Sequence, residues 1–175
     1  LTAVLYRMNS VNESSEKEVV ISCEQAVHNS LSEPFTYTLS EEKNAVCQLA
    51  DRVETYLYEP GAALLKAGPY RLLSQRYGVK KLHPNSHLYT SSVQVDFPGR
   101  CFQVTGISGF GKKEVKELLG GLEKANLTVR NFPASVADLR KKLKLKEGGD
   151  VYLFATTLQN GEKVLIKCLK PALLS

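Results

Sequence analysis

Short runs of β-branched and aromatic residues alternate with polar turn formers through the first half of the chain. Runs of this composition are typical of strands, and the breakers between them delimit short elements. The pattern predicts strands at residues 19–24, 35–39, 55–60 and 87–91. It predicts helices over residues 40–53, 61–68 and 69–78. We expect Gly68 and Gly78 to end the last two helices, because glycine readily adopts the left-handed conformation that follows a helix terminus.

Apolar residues of the second half recur at helical spacing in two places. Within residues 112–125 the predicted apolar stripe consists of Val115, Leu118, Leu119 and Leu122. A second helix is predicted to begin after Ser135, whose hydroxyl is suited to cap it, with Asp138 three residues further on. The buried stripe expected for this second helix is Val136, Leu139 and Leu143.

Four strands are predicted around these helices, at residues 101–107, 127–132, 150–158 and 162–169. Asn160–Gly161 is a strong signal for a tight hairpin between the last two strands. The resulting order is β-α-β-α-β-β, which indicates a small α+β sandwich of one sheet covered by two helices. Pro98 and Gly99 form a breaker pair just before this unit. We therefore predict two domains, over residues 1–98 and 99–175.

Charge separates the same two parts of the 175-residue chain. The net charge is +5, from 23 Lys and Arg against 18 Asp and Glu. Residues 99–175 contain 14 basic and 7 acidic residues, or +7, which leaves 9 against 11, or −2, for residues 1–98. A basic excess confined to one part of a chain indicates a polyanionic partner. No apolar run is long enough to cross a bilayer, so no membrane partner is expected.

The basic residues are densest between positions 130 and 146. On a helix that begins at residue 136, the predicted buried stripe leaves Arg140, Lys141 and Lys144 facing solvent, with Lys142 nearer the flank. An ordinary solvated helix face is one interpretation of this pattern. However, few acidic residues balance the run, whereas soluble surfaces usually mix the two signs. Contact with a polyanion is the second interpretation.

The segment GISGFGKK, residues 106–113, lies between a predicted strand and a predicted helix. Gly106, Gly111 and Lys112 fit the spacing of a phosphate-binding P-loop. The following residue is Lys113, so the hydroxyl that would bind Mg²⁺ is missing. Three interpretations remain open at this point: a nucleotide P-loop, a structural turn, and a helix N-terminus that contacts an RNA phosphate.

The histidines and cysteines of the sequence do not form a recognisable metal-binding or catalytic site. His83 and His87 are four residues apart, but Pro84 between them argues against a shared helix face, so no metal site is predicted. The four cysteines lack the spacing of metal ligands and are expected to be free thiols in a reducing cytoplasm. We predict no catalytic residue and no cofactor-binding residue in this chain.

The segments YLYEPGAALLKAGPYRLLSQRYGVKKLHPNSHLYTS, DFPGR, NLTVRNFPASVADLRKKLKLKEGGDVYLFATT and GEKVLIKCLK resemble the C-terminal region of a bacterial family. Its members are assigned as class I S-adenosylmethionine-dependent methyltransferases. The resemblance covers roughly residues 18–170. It implies a ferredoxin-like domain followed by a THUMP-like domain, placed after a methyltransferase domain that this chain lacks. It implies S-adenosylmethionine as the cofactor of the parent protein, bound outside this chain.

THUMP domains generally bind RNA and present it to an attached modifying domain, so the resemblance implies RNA, either tRNA or rRNA, as a partner. The preceding methyltransferase domain of the same polypeptide is the second implied partner. The residues expected to contact RNA phosphates are Lys112, Lys113, Lys116, Arg130, Arg140, Lys141 and Lys144. A structural or protein-interaction module that supports or dimerises the methyltransferase domain is the alternative, since shared shape alone does not transfer function.

Overall fold

The computed structural model contains both helices and strands, and it describes residues 2–9, 18–27, 30–31 and 33–172. The first part contains β1 Thr2–Asn9, β2 Glu18–Val27, β3 Ser30–Leu31, β4 Phe35–Thr38, α1 Leu39–Asn44, β5 Tyr56–Pro60, α2 Ala62–Ala67, α3 Tyr70–Tyr77, β6 Lys80–Lys81 and β7 Tyr89–Ser91. The second part contains β8 Gly99–Ser108, α4 Lys112–Leu119, β9 Asn126–Arg130, α5 Val136–Leu143, β10 Tyr152–Thr157 and β11 Lys163–Leu169. The predicted order β-α-β-α-β-β for the second part is confirmed, and the fold class is α+β.

Two sheets organise these elements. In the smaller sheet, β2 pairs antiparallel with β1, β3 and β4. The larger sheet has seven strands in the order β6-β7-β5-β8-β11-β10-β9. Among the strand pairs that the structure describes in this sheet, β9 and β10 are parallel, as expected for strands joined through a helix. Strand β8 pairs with β5 on one side and with β11 on the other, so the large sheet runs continuously from the first part of the chain into the second.

Three apolar clusters pack against the two faces of the large sheet. Adjacent residues of a strand point to opposite faces. Accordingly, Leu57 of β5 enters a cluster that also contains Phe154 of β10, while Tyr58 enters a second cluster with α2, α3 and the small sheet. Leu153 of β10, next to Phe154, packs instead into a third cluster under α4 and α5. Helices α4 and α5 therefore lie on the face opposite to the cluster of Leu57 and Phe154.

Glycines in the left-handed conformation end the helices α2, α3 and α4. Gly68 and Gly78 have φ of 82° and 63°, as predicted. Gly120 has φ of 55° and ends α4 at Leu119, so the prediction of one helix over residues 112–125 was too long. The helix predicted over residues 40–53 is also shorter, since α1 ends at Asn44. Some apolar residues beyond each helix, such as Ala45 and Leu122, pack from a loop.

Helix α5 begins as expected. The Ser135 hydroxyl accepts a hydrogen bond from the Asp138 N–H at 3.1 Å. Leu139 is buried and Leu143 is half-buried against the sheet. Val136, which was predicted to belong to the same buried stripe, is 39% exposed. It occupies the first turn of the helix and does not belong to the third cluster.

The entry of β8 is packed too closely to accept a side chain at Gly99. An added Cβ there would lie 2.1 Å from the Glu59 carbonyl oxygen and 2.9 Å from the Gly61 nitrogen. We expect Gly99→Ala to lower the free energy of unfolding by about 1–3 kcal/mol, because two backbones would have to separate. Gly106→Ala in the same strand is the control, since its Cβ would meet only the flexible end of Leu118. Urea denaturation measures both variants, and equal losses would contradict this account.

Candidate nucleic-acid interface

A groove of about 390 Å³ lies between α4 and α5. Its floor is apolar and its borders are basic. The apolar side chains that line it are Phe110, Val115, Leu119, Leu122 and Leu143. The basic side chains that line it are Lys112, Lys116, Lys142 and Lys144. Both helices supply lysines because each turns its apolar stripe toward the sheet, which leaves the adjoining positions at the edges of the groove.

The lysines of the groove carry charge that is not neutralised locally. Of the residues that line the groove, none is acidic. Within the part of the chain that the structure describes, none of these four lysines forms an ion pair. Lysines that line one groove with no carboxylate in its lining create a positive potential that attracts anions. The groove is therefore suited to a ligand that is both anionic and partly apolar.

The predicted phosphate-binding residues do not all lie at this groove. Lys112, Lys116 and Lys144 line it, whereas Lys113 and Lys141 are exposed and lie outside its lining. Lys142 was not among the predicted contacts, yet it lines the groove and its ammonium lies 6.0 Å from the centre of the Phe110 ring. Lys142 lies three residues after the buried Leu139, and residues at this spacing are neighbours on a helix surface. This spacing was the signal in the sequence that Lys142 borders the apolar stripe.

Arg140 and Arg130 are engaged elsewhere. The Arg140 guanidinium donates a hydrogen bond to the Ala125 carbonyl at 3.2 Å. Arg130 stands opposite Thr156 in the β9–β10 register, and Thr156 is two residues from Phe154. Arg130 thus lies on the other face of the sheet from α4 and α5. The structure does not bring these two arginines together with the lysines of the groove.

The glycine loop before α4 is closed by a side chain of the helix. A carboxylate oxygen of Glu114 accepts a hydrogen bond from the Gly111 N–H at 3.2 Å. A Cβ on Gly109 or on Gly111 would come within 2.8 or 2.7 Å of that oxygen, so the absence of side chains makes room for it. The carboxylate occupies the position that a phosphate would need. The geometry therefore favours a structural turn over a nucleotide P-loop.

Phe110 projects from this loop toward the groove. Its ring packs on Phe132, with 4.8 Å between the ring centres and an angle of 35° between the planes. A second cavity, of about 290 Å³, lies on the other side of Phe110 and includes Phe132, Leu139 and Lys142 in its lining. Phe110 and Lys142 line both cavities, so the ring stands at their junction.

A buried carboxylate joins the two parts of the chain on the opposite face of the sheet. Glu59 of β5 is 3% exposed. One of its oxygens accepts a hydrogen bond from Arg130 at 2.6 Å, and the other accepts from Arg100, whose Nε lies at 3.0 Å. Arg100 belongs to β8 and Arg130 to β9, so the carboxylate connects three strands of the large sheet. We assign this cluster a structural role.

His87 lies beside this cluster in a cationic and poorly hydrated environment. Its ring stacks on Tyr70 at 3.6 Å, and its buried Nδ1 has no hydrogen-bond partner in the structure. Burial, followed by the nearby charges of Lys81 and Arg130, lowers the pKa of His87 to about 4. Burial also lowers the pKa of Lys81. His83 instead accepts a hydrogen bond from the Asn85 N–H, and the two histidines have different surroundings.

Acid should destabilise the fold through His87. The unfolded imidazole takes up a proton near pH 6.5, whereas the folded one does so only near pH 4, so stability falls as pH is lowered from about 6.5 to 4. His87→Asn should reduce this loss, because asparagine tolerates the observed φ of 54° and does not titrate. Urea denaturation at several pH values measures the effect, with His83→Asn as the control. An unchanged pH dependence in His87→Asn would contradict the assignment.

Burial makes three of the four thiols poor nucleophiles. All four cysteines are free. Burial raises the pKa of Cys23 to about 11 and that of Cys168 to about 12, and it also raises the pKa of Cys101. A thiol with a raised pKa is protonated at neutral pH and reacts poorly.

Comparison with protein families assigns the two parts of the chain. One family model, described as a ferredoxin-like domain, matches residues 56–98, and another, described as THUMP domain-like, matches residues 99–170. The chain therefore carries a match to a ferredoxin-like domain followed by a match to a THUMP-like domain, which confirms the resemblance inferred from the sequence. The first match begins at β5, so all four strands of the small sheet lie before both matched ranges.

A solved structure extends this similarity. The crystal structure of a putative methyltransferase from Porphyromonas gingivalis W83 is 40% identical in sequence and superposes with a TM-score of 0.75. The similarity covers 81% of this chain and 35% of that chain, so the present chain spans about a third of the neighbour's length. No curated protein shows significant similarity. Among the described residues, no helix has the length and apolar character needed to span a membrane.

Proposed function

We propose that this chain is the non-catalytic C-terminal part of an S-adenosylmethionine-dependent methyltransferase. In this proposal it binds tRNA or rRNA through the groove between α4 and α5 and presents the RNA to the methyltransferase domain of the same polypeptide. The observation that carries the proposal is the set of four lysines around the groove, which have no acidic neighbour in its lining. The THUMP-like match and the similarity to a putative methyltransferase support it.

The cofactor belongs to the other domain in this proposal. The glycine loop of this chain does not fit a methyl donor, because the Glu114 carboxylate fills the space beside Gly109 and Gly111. This chain would bind and orient the RNA, since contacts to phosphates position a nucleic acid without reading its sequence. Its proposed location is the cytoplasm, where the RNA partner and reduced thiols occur together.

A protein-interaction module is the second candidate function. The observation in its favour is the exposure of two apolar side chains at the ends of α1, Leu39 at 56% and Val46 at 66%. Large apolar side chains that stay exposed on either side of a short helix are candidates for a contact with another protein. The chain would then support or dimerise the methyltransferase domain. Analytical ultracentrifugation of the chain distinguishes the two functions, because a dimer that Val46→Ser dissociates would favour the second.

RNA binding can be tested directly by fluorescence anisotropy. The chain is titrated against labelled bulk tRNA and against rRNA fragments at several salt concentrations. We expect micromolar affinity and a linear fall of log K with log salt, with a slope of about −2 to −4 for three to five phosphate contacts. The absence of binding at low salt to both RNAs would refute the proposed function.

A further inference from the structure

The apolar floor of the groove needs an explanation beyond phosphate contact. Lysines alone suffice to hold a phosphate backbone. The groove instead places five apolar side chains between its lysines, and one of these is the aromatic ring of Phe110. A double-stranded A-form helix offers a protein mainly phosphates and 2′-hydroxyls, because its bases are stacked inside. Only an unpaired nucleotide offers an apolar base face together with phosphates.

The glycine loop holds the Phe110 ring in place. Gly109 and Gly111 flank the phenylalanine, and both lie against the Glu114 carboxylate, which caps the start of α4. Phe132 supports the ring from one side. An aromatic side chain fixed before the ligand arrives loses little conformational entropy on binding. The motif that resembles a P-loop in sequence thus serves to present an aromatic ring.

We propose that the groove between α4 and α5 takes an unpaired nucleotide of the RNA, with its base against Phe110 and its neighbouring phosphates at the lysines. This inference rests on the proposed function and names the RNA structure that the site selects. Lys112 and Lys116 border the groove from α4, while Lys142 of α5 and Lys144 just after it border the other side, so a strand that crosses the groove meets cations on both sides. Stacking on an aromatic ring is open to every base, so recognition depends on strand structure more than on sequence.

The test compares a labelled single-stranded RNA of twelve nucleotides with a blunt duplex of the same length. We expect the single strand to bind at least tenfold more tightly at equal salt. Phe110→Leu should weaken single-strand binding by about tenfold and leave duplex binding and the salt slope unchanged, because it removes a stacking surface and no charge. Tyr152→Leu is the control, since it removes a half-buried ring that lies outside both cavities beside α5.

A second measurement keeps the inference testable if Phe110→Leu folds poorly. Single-stranded RNA carrying 5-iodouridine is irradiated with the unaltered chain, and mass spectrometry locates the cross-link. A cross-link at Phe110 supports the inference. Equal affinity for the duplex, or a cross-link only elsewhere, overturns it while RNA binding itself still stands. The absence of any binding overturns the proposed function as well, so the two failures are distinguishable.

Discussion

Replacing Arg100 and Arg130 together by methionine should lower the free energy of unfolding by about 3–5 kcal/mol. The double substitution leaves the Glu59 carboxylate, which is 3% exposed, without a cationic partner. Glu59→Gln should cost only about 1–3 kcal/mol, because it removes charged hydrogen bonds but leaves no buried charge. The arginine side chains are 54% and 38% exposed and can regain water. Two exposed arginines left without the carboxylate therefore cost less free energy than the buried Glu59 carboxylate left without both arginines.

Urea denaturation of the two variants and of each single arginine variant measures this asymmetry. Either arginine alone still neutralises the carboxylate, so each single substitution should cost less than half of the double one. Arg76→Met is the matched control, because Arg76 pairs with Glu41, which is 47% exposed, and exposed pairs contribute little. The explanation fails if Glu59→Gln is as destabilising as the double arginine variant, since the loss would then come from packing.

Local signals in the sequence were sufficient for much of the second half. Ser135 caps its helix through its own hydroxyl, and Gly161 adopts the φ of 86° that the Asn160–Gly161 turn requires. Such features depend on a few neighbouring residues, so they can be read from the chain directly. The same holds for Gly68 and Gly78, whose left-handed conformations end helices as predicted.

Long-range pairing could not be inferred in this way. Nothing near Gly99 indicates that β8 joins β5 to β11 in one sheet, because pairing across many residues is decided by the whole fold. Glu59 meets Arg100 and Arg130 from 41 and 71 residues away. The strand β1 was also not predicted, although it pairs with β2 over eight residues.

The candidate site depends both on local signals, which the sequence shows, and on long-range contacts, which it does not show. Helical spacing predicted that Lys144 faces solvent, but it could not show that α4 and α5 bring Lys112, Lys116 and Lys144 to one groove. The spacing of glycines suggested a phosphate loop because the sequence does not reveal that Glu114 folds back on Gly111. Whether a phosphate or a side chain fills such a loop depends on its three-dimensional structure. The same glycine spacing is compatible with both.

Reversing the charge of Lys112, Lys116 and Lys144 to glutamate should weaken RNA binding by roughly 100-fold or more at low salt. Each lysine that contacts a phosphate accounts for about one unit of the salt slope, so the slope should become shallower by about 2–3. Reversal of Lys43, Arg52 and Lys66 is the matched control, because these exposed residues of the first half give the same change in net charge. Anisotropy titrations over a salt series measure both quantities. If the two triple variants weaken binding equally, net charge alone attracts the RNA and the groove is not its binding site. A loss confined to the groove variant means that the position of the lysines between α4 and α5 determines binding.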